Sequence, residues 1–310
     1  MAIVNSRAAI EPKTGKAAIF VNETIHSLMR KLFSNGEQGF AYDPNDLSTL
    51  YQDATGIVPV TAAGQPVGLL LDKSKGLVLG NELSNYSAGF NSLAGISPVW
   101  ATLSIEGTAL VVTAQTGPAN RAEIPISGLT VGKFYKIKFI ARKNEIGGTQ
   151  HFRLFSAFDK FSYRTTLTST TTTEYTFILE ATSVSGVLRA YAVATEAIGA
   201  QIIVESVSVK EVAGNHAYQI DSAKKPLLQN DIKFDGIDDA LNIAFPSALT
   251  NCTIVTVKHG EQTQILDNQA INQAHIINQD FKQYLLINRA LTDLERSQVA
   301  DYFNKIGAAT

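Results

Sequence analysis

Val187, Arg189, Tyr191 and Val193 alternate with Leu188, Ala190 and Ala192. In a strand, that spacing sends an arginine and a tyrosine to one face and small apolar side chains to the other. His151, Arg153 and Phe155 repeat the pattern in a second candidate strand. Aromatic rings stack on pyranose faces and planar polar groups fix the hydroxyls, so Arg153, Phe155, Arg189 and Tyr191 are the candidate glycan-binding residues. A packing role for Phe155 and Tyr191 stays open beside this one, since both have apolar neighbours. Trp100, the only tryptophan, is expected to be buried near the start of the same block, because large aromatics anchor small sandwich cores.

Other chemistry finds little support. Asp235, Asp238 and Asp239 surround Gly236 and are expected as turn residues rather than metal ligands. Asp43, Asn45 and Asp46 are followed by Leu47, where a helix-loop-helix calcium loop needs another oxygen. Residues 128–133 fall one short of a phosphate-binding loop and run into Phe134, so they read as a β-turn. The histidines and the single cysteine, Cys252, show no zinc spacing, and no Gly-x-Ser-x-Gly elbow occurs. Glu123, Glu145, Asp159, Glu174, Glu180, Glu196 and Glu205 are scattered, without the marked pair a glycosidase requires. The expectation is a protein that is not an enzyme and uses no cofactor or metal.

A chain of 310 residues, 45% hydrophobic and 17% charged, suits about two packed domains. A net charge of −2 supplies no electrostatic footprint for nucleic acid. No apolar run approaches the ~18 residues of a membrane-spanning helix, so neither nucleic-acid binding nor membrane insertion is expected. The N-terminal residues lack a secretory pattern and one cysteine cannot make an intrachain disulfide, which points to folding in a reducing cytoplasm.

The elements that must position these residues are mostly strands. Residues 1–36 read as an extended arm and then a helix over 17–33, with Ile25, Leu28, Met29 and Leu32 at i, i+3, i+4 and i+7. A lone stripe of that kind must pack on the following domain, on another copy or on a partner. It is assigned to attachment and oligomerisation. Residues 81–212 contain repeated strands; Tyr135, Ile137 and Phe139 alternate with Lys136 and Lys138, the mark of one buried and one wet face. Asp235-Gly236 is expected to close a hairpin between residues 232–234 and 241–245. Residues 261–280 are rich in Gln and Asn and show little periodicity, and residues 284–288 read as a last strand. Thr292 and Glu295 form a capping box for a final helix with Leu294, Val299, Phe303 and Ile306 on its buried side.

Residues 36–53, including Gly39-Phe40-Ala41-Tyr42-Asp43-Pro44, with residues 61–79 after them, resemble the opening of bacteriophage tail-fibre and related virion proteins. Phe234-Asp235-Gly236-Ile237-Asp238-Asp239 and Leu286-Ile287-Asn288-Arg289-Ala290-Leu291 resemble concanavalin A-like, laminin-G-type segments. Asn81-Glu82-Leu83, Trp100, residues 128–135 and Val207-Ser208-Val209-Lys210-Glu211 resemble a jelly-roll carbohydrate-binding module. The resemblance implies a mainly β chain of two antiparallel sandwiches with an N-terminal and a C-terminal helix. Residues 37–80 and 214–310 would form a split concanavalin-like domain, and residues 81–213 an inserted jelly roll. It further implies a virion structural protein, a tail fibre or tip, made in the bacterial cytoplasm. Its expected partners are other virion proteins, through the N-terminal arm, and a host-surface glycan; the expected oligomer is a homotrimer. An architectural baseplate, collar or capsid-decorating protein is the alternative, with a polysaccharide depolymerase behind it.

Overall fold

In the computed structural model, the described residues are 25–308 apart from 118, 147–148, 159–163 and 194–197. Over these residues the chain is mainly β, with several antiparallel sheets and two α-helices.

One pair of sheets is built from both ends of the chain. Gly39–Tyr42, Gln283–Ile287, Leu249–Val257 and Gln264–Ile271 lie side by side in that order, with Gly39 opposite Ile287. Leu50–Tyr51, Leu69–Leu70, Ala217–Tyr218, Leu241–Ala244 and Ala274–Ile277 make the second sheet, with Leu70 opposite Ala217. The core between them includes Phe40, Tyr42, Leu50, Leu70, Leu241, Ile243 and Leu286. The Gln- and Asn-rich stretch contains two strands in which apolar and polar residues are mixed on both faces: Leu266 and Ile276 are exposed while Asp267 and Gln269 take half-buried positions, so alternation gives little signal.

The far face of the first sheet is covered by α1 (Ile25–Leu32) and α2 (Asp293–Ala308). Leu28, Met29 and Leu32 are buried with Ala41, Val255, Leu285, Ile287, Val299 and Phe303. This corrects the assignment of the stripe to attachment and oligomerisation: those three side chains are spent inside the chain, and Ile25 begins the same helix. The part of the expected helix before Ile25, and the N-terminal arm, lie outside the described residues. Arg289 joins the two helices, donating to the Leu32 carbonyl at 3.1 Å and pairing with Glu37 at 3.2 Å and Glu295 at 2.7 Å. The capping box forms as expected, with Glu295 N–H to Thr292 Oγ1 at 3.2 Å and Thr292 N–H to Glu295 Oε2 at 2.9 Å. The Arg289 guanidinium pulls the Glu295 carboxyl down to about 2. Leu294, expected on the buried side, is 69% exposed. It sits about 140–180° around the helix from the stripe of Val299, Phe303 and Gly307, on the opposite side.

The second pair of sheets is built from the middle of the chain. Thr173–Glu180, Phe134–Lys143, Gln201–Val212, Ala109–Ala114 and Ala101–Glu106 form one, with Leu79–Glu82 beside Gln201–Val212. Arg164–Thr166, Thr149–Phe155, Ser185–Val193, Arg121–Ser127 and Ser97–Val99 form the other. Their shared core includes Phe139 stacked on Phe152 at 3.9 Å, with Leu110, Ile137, Phe177, Leu188 and Ile202. A smaller cluster, Leu69, Leu71 and Tyr218 with Phe134, Ile178 and Val212, packs the two sheet pairs against each other.

The expected Asp235-Gly236 hairpin does not form. Ile232–Lys233 pairs with Leu227–Leu228, whereas Leu241–Ala244 pairs with Ala217–Tyr218 and Ala274–Ile277. The turn residues are present, but the turn carries the chain from one sheet to another.

A buried polar knot fastens the two crossings between the sheet pairs. Asp72 accepts N–H bonds from Ala41, Ser74 and Asn215 at 2.7–2.8 Å and the Ser74 hydroxyl at 2.8 Å. Complete burial still pushes its carboxyl up to about 6. His216 Nδ1 accepts the Asp72 backbone N–H at 2.9 Å, and its Nε2 lies 3.1 Å from the Val212 carbonyl. This selects the Nε2–H tautomer, and burial lowers the imidazole to about 4.

Candidate functional site

In the sheet that contains Ser185–Val193, Ala122, Ile124, Phe152, Leu154, Leu188 and Ala190 are buried, so the alternate positions face away from the core. Strand register aligns those positions into rows. Arg164, Arg153, Arg189, Glu123 and Ser97 form one row; Thr166, His151, Tyr191, Arg121 and Val99 form the next. Phe155 is opposite Val187, which is opposite Pro125. The structure thus brings the backbone positions of Arg153, Phe155, Arg189 and Tyr191 onto one face of two adjacent strands.

Tyr191 does not offer the open ring face that sugar stacking needs. His151 lies parallel to it, with centroids 4.4 Å apart and planes 9° apart. The Arg121 guanidinium stands 5.5 Å from the ring centre. These neighbours come from strands on opposite sides, so both faces of the phenol are covered and Tyr191 is only 7% exposed. The stacking role expected of Tyr191 is corrected to a packing and positioning role, leaving only its edge for a ligand.

Glu123, which sequence reasoning did not separate from other scattered acids, anchors the arginines. Its Oε1 accepts Arg121 Nε at 3.0 Å and lies 2.9 Å from Arg121 Nη2 and 2.8 Å from Arg189 Nη2. Among the described residues, no hydrogen bond reaches its Oε2. The register that unites these three residues joins strands more than sixty residues apart, and nothing local in the sequence encodes it.

Trp100 also departs from expectation. It is 60% exposed rather than buried and has φ +53°, a left-handed conformation costly for a bulky residue. It separates Ser97–Val99 from Ala101–Glu106, one residue beyond the row that ends at Val99. A Cβ on Gly117 would meet the indole at 2.9 Å, so glycine there lets the ring pack on bare backbone.

Other candidates have simpler explanations. Asp235 Oδ1 accepts the N–H groups of Ile237, Asp238 and Asp239, the turn chemistry expected of this acidic trio. Lys73 lies 3.0 Å from Asp43 and 2.8 Å from Asp46, and Gln283 also hydrogen-bonds Asp43; a side-chain cation occupies the place a calcium ion would need. Glu174 and Glu205 stand on the other sheet of the same pair, beside Lys138 and Arg142. Asp159 and Glu196 lie outside the described residues. A groove of about 830 Å³ beside Tyr218, Asn242 and His275 crosses the outer sheet of the end-built pair.

No protein-family model matches the chain, and no curated protein matches it. Solved structures similar to part of it include a carbohydrate binding module of family 29, at 12% identity and TM-score 0.30, covering 43% of this chain and 88% of that one. A CBM29-2 mutant complexed with mannohexaose is 11% identical, at TM-score 0.32, covering 43% and 93%. Apo BiXyn10A CBM1 is 15% identical, at TM-score 0.32, covering 42% and 96%.

Proposed function

We propose that this chain is a glycan-binding β-sandwich protein of a tailed-bacteriophage particle, in a tail fibre or tail tip. The observation that carries the sugar-binding reading is the exposed Trp100 indole, next in sequence to Val99, which ends the row holding His151, Tyr191 and Arg121. An indole face supplies stacking, and the open Glu123 Oε2 beside the arginines supplies hydroxyl contacts. In this reading residues 37–80 and 214–310 form one split sandwich, and residues 81–213 are the body it displays. The pairing of Gly39 with Ile287 and Leu70 with Ala217 supports that division.

The place in a virion rests on the resemblance of residues 36–53 and 61–79 to virion proteins. Residues 1–24 are assigned the attachment to other virion proteins. A homotrimer would have to form through surfaces other than the covered α1 stripe, and arrayed copies would give weak single sites collective strength.

A glycan array probed with the full chain tests the sugar half. Saturable binding that disappears in Trp100→Ala supports it; a silent array from the wild type overturns it in favour of an architectural role. Electron microscopy of particles carrying a labelled chain tests the other half, and label away from the tail would sink it.

A further inference from the structure

The geometry points to the free edge of Ala274–Ile277 as a seam between two copies of this chain, joined about a two-fold axis into one continuous sheet. The end-built sheet pair has four outer strands. Gly39–Tyr42 and Gln264–Ile271 flank one sheet, Leu50–Tyr51 and Ala274–Ile277 the other. An outer strand presents a row of unpaired N–H and C=O groups, so proteins cover, kink or charge it.

Three of these strands are protected in that way. Leu50–Tyr51 is covered by the chain's own loop: Gln52 N–H donates to the Val58 carbonyl at 2.7 Å and Val60 N–H to the Leu50 carbonyl at 3.0 Å, with Pro59 bridging Tyr51. Gly39–Tyr42 is closed by the polar knot, through Lys73 N–H on the Ala41 carbonyl at 2.9 Å and Ala41 N–H on Asp72 at 2.8 Å. Gln264–Ile271 carries Asp267, slips register twice against its neighbour and turns left-handed at Asn268, φ +56°. A bulged, charged strand resists further pairing.

Ala274–Ile277 has none of these devices. No Asp, Glu, Lys, Arg or Pro falls between Asp267 and Asp280. Leu241–Ala244 pairs with one side of the strand, and among the described residues nothing bonds the other. Phe245 N–H donates to the Gln273 carbonyl at 2.8 Å, and hydrogen-bonded pairs alternate along an antiparallel ladder. His275 and Ile277 therefore bond towards Leu241–Ala244, while the N–H and C=O groups of Ala274 and Ile276 point to the open side. Both of these residues are exposed, Ile276 by 56%.

A second copy fits this edge because the edge complements itself. About a two-fold axis at His275, Ala274 of one copy stands opposite Ile276 of the other, and each such pair exchanges two backbone hydrogen bonds. A small apolar side chain then meets a large one, and no two charges are brought together. His275 shares the inward face with Ile243, and burial lowers its imidazole below the ordinary value, so it adds no repulsion at neutral pH. On the outer face, Ile276 continues the apolar wall that Ile220, Ala240 and Ala244 give the groove beside Tyr218. The seam is short, which places the pair among small, reversible interfaces.

Sedimentation equilibrium of the full chain from about 10 µM to about 1 mM, with single-amide hydrogen exchange at both ends of that range, tests the seam. The mass is expected to double, with the Ala274 and Ile276 amides protected only in the concentrated sample. Ile276→Lys, which sets a cation beside the axis in both copies, should abolish the doubling at an unchanged melting midpoint. A mass independent of concentration overturns the proposal. So does doubling that survives Ile276→Lys or leaves both amides exchanging freely. Protection of equal strength at every concentration also overturns it, and gives the edge to residues 1–24 of the same chain.

Discussion

Asn215 donates its backbone N–H to Asp72 Oδ2 over 2.7 Å, joining positions 143 residues apart in the chain. Gly214 makes the approach possible: at φ +136°, a Cβ there would come within 2.9 Å of the same oxygen. The bond closes the outgoing and returning crossings onto one carboxylate, with His216 immediately beyond.

The two buried titratable groups of this knot have opposite pH signatures. His216, lowered from 6.5 to about 4, contributes stability that is full above pH 6.5 and lost as pH falls towards 4. Asp72, raised from 3.8 to about 6, contributes stability present below 3.8 and lost as pH rises towards 6. Between pH 4 and 6 the two slopes oppose each other. Asp72→Asn should therefore steepen the rise of unfolding free energy with pH in that window by about 1.4 kcal/mol per unit. Urea titrations at pH 4.5 and 5.5 measure it, and parallel wild-type and variant slopes would rule it out.

Gln150 is fully buried, faces the core opposite Ala192, and among the described residues neither atom of its amide has a hydrogen-bond partner. A buried unsatisfied amide costs more than an apolar group of similar shape. Gln150→Met is expected to raise stability by about 1 kcal/mol, seen as a higher urea midpoint at unchanged slope. A lower midpoint would mean that the amide is satisfied in solution.

Tyr191 and Trp100 should separate cleanly. Tyr191→Ala removes the ring between His151 and Arg121 and is expected to cost about 3 kcal/mol of stability. Tyr191→Phe should keep both stability and ligand binding, because ring packing is what the position supplies. Trp100→Ala should change stability by less than about 0.5 kcal/mol, as exposed side chains usually do, yet lose binding. Circular dichroism melts beside the glycan array give both readings; a destabilised Trp100→Ala would assign the indole to packing.

Leu32 is fully buried under α2 and the first sheet. Leu32→Ala is expected to lower unfolding free energy by about 3 kcal/mol without changing the mass measured by light scattering. A change of mass at intact stability would restore the stripe to an intermolecular role.

The strands were legible where one face is wet. Phe134–Lys143 alternates Tyr135, Ile137 and Phe139 with lysines, and the structure buries the first set completely or nearly so. What joins to what was much less legible. Asp235-Gly236 marks a turn correctly, but turn chemistry carries no information about which strands will pair beyond it. The α1 stripe is plain in its spacing, while most of its cover, apart from Ala41, comes from residues more than two hundred positions later. The candidate site was legible as a face and not as a constellation. Alternation places Arg189 with Tyr191, but only register brings Glu123 and Arg121 alongside them. Trp100 escaped because exposure of a lone aromatic is decided by tertiary structure rather than by its neighbours in sequence.

Leu79 and Val212 are register partners, so the ends of the central block sit a strand's width apart. A protein engineer could cut there and rejoin the chain with a tight two-residue loop without stretching the remainder. The shortened product would still present Leu69, Leu71 and Tyr218 where Phe134 and Ile178 had covered them. Replacing those three side chains with polar ones is thus a condition for obtaining the remainder in soluble form.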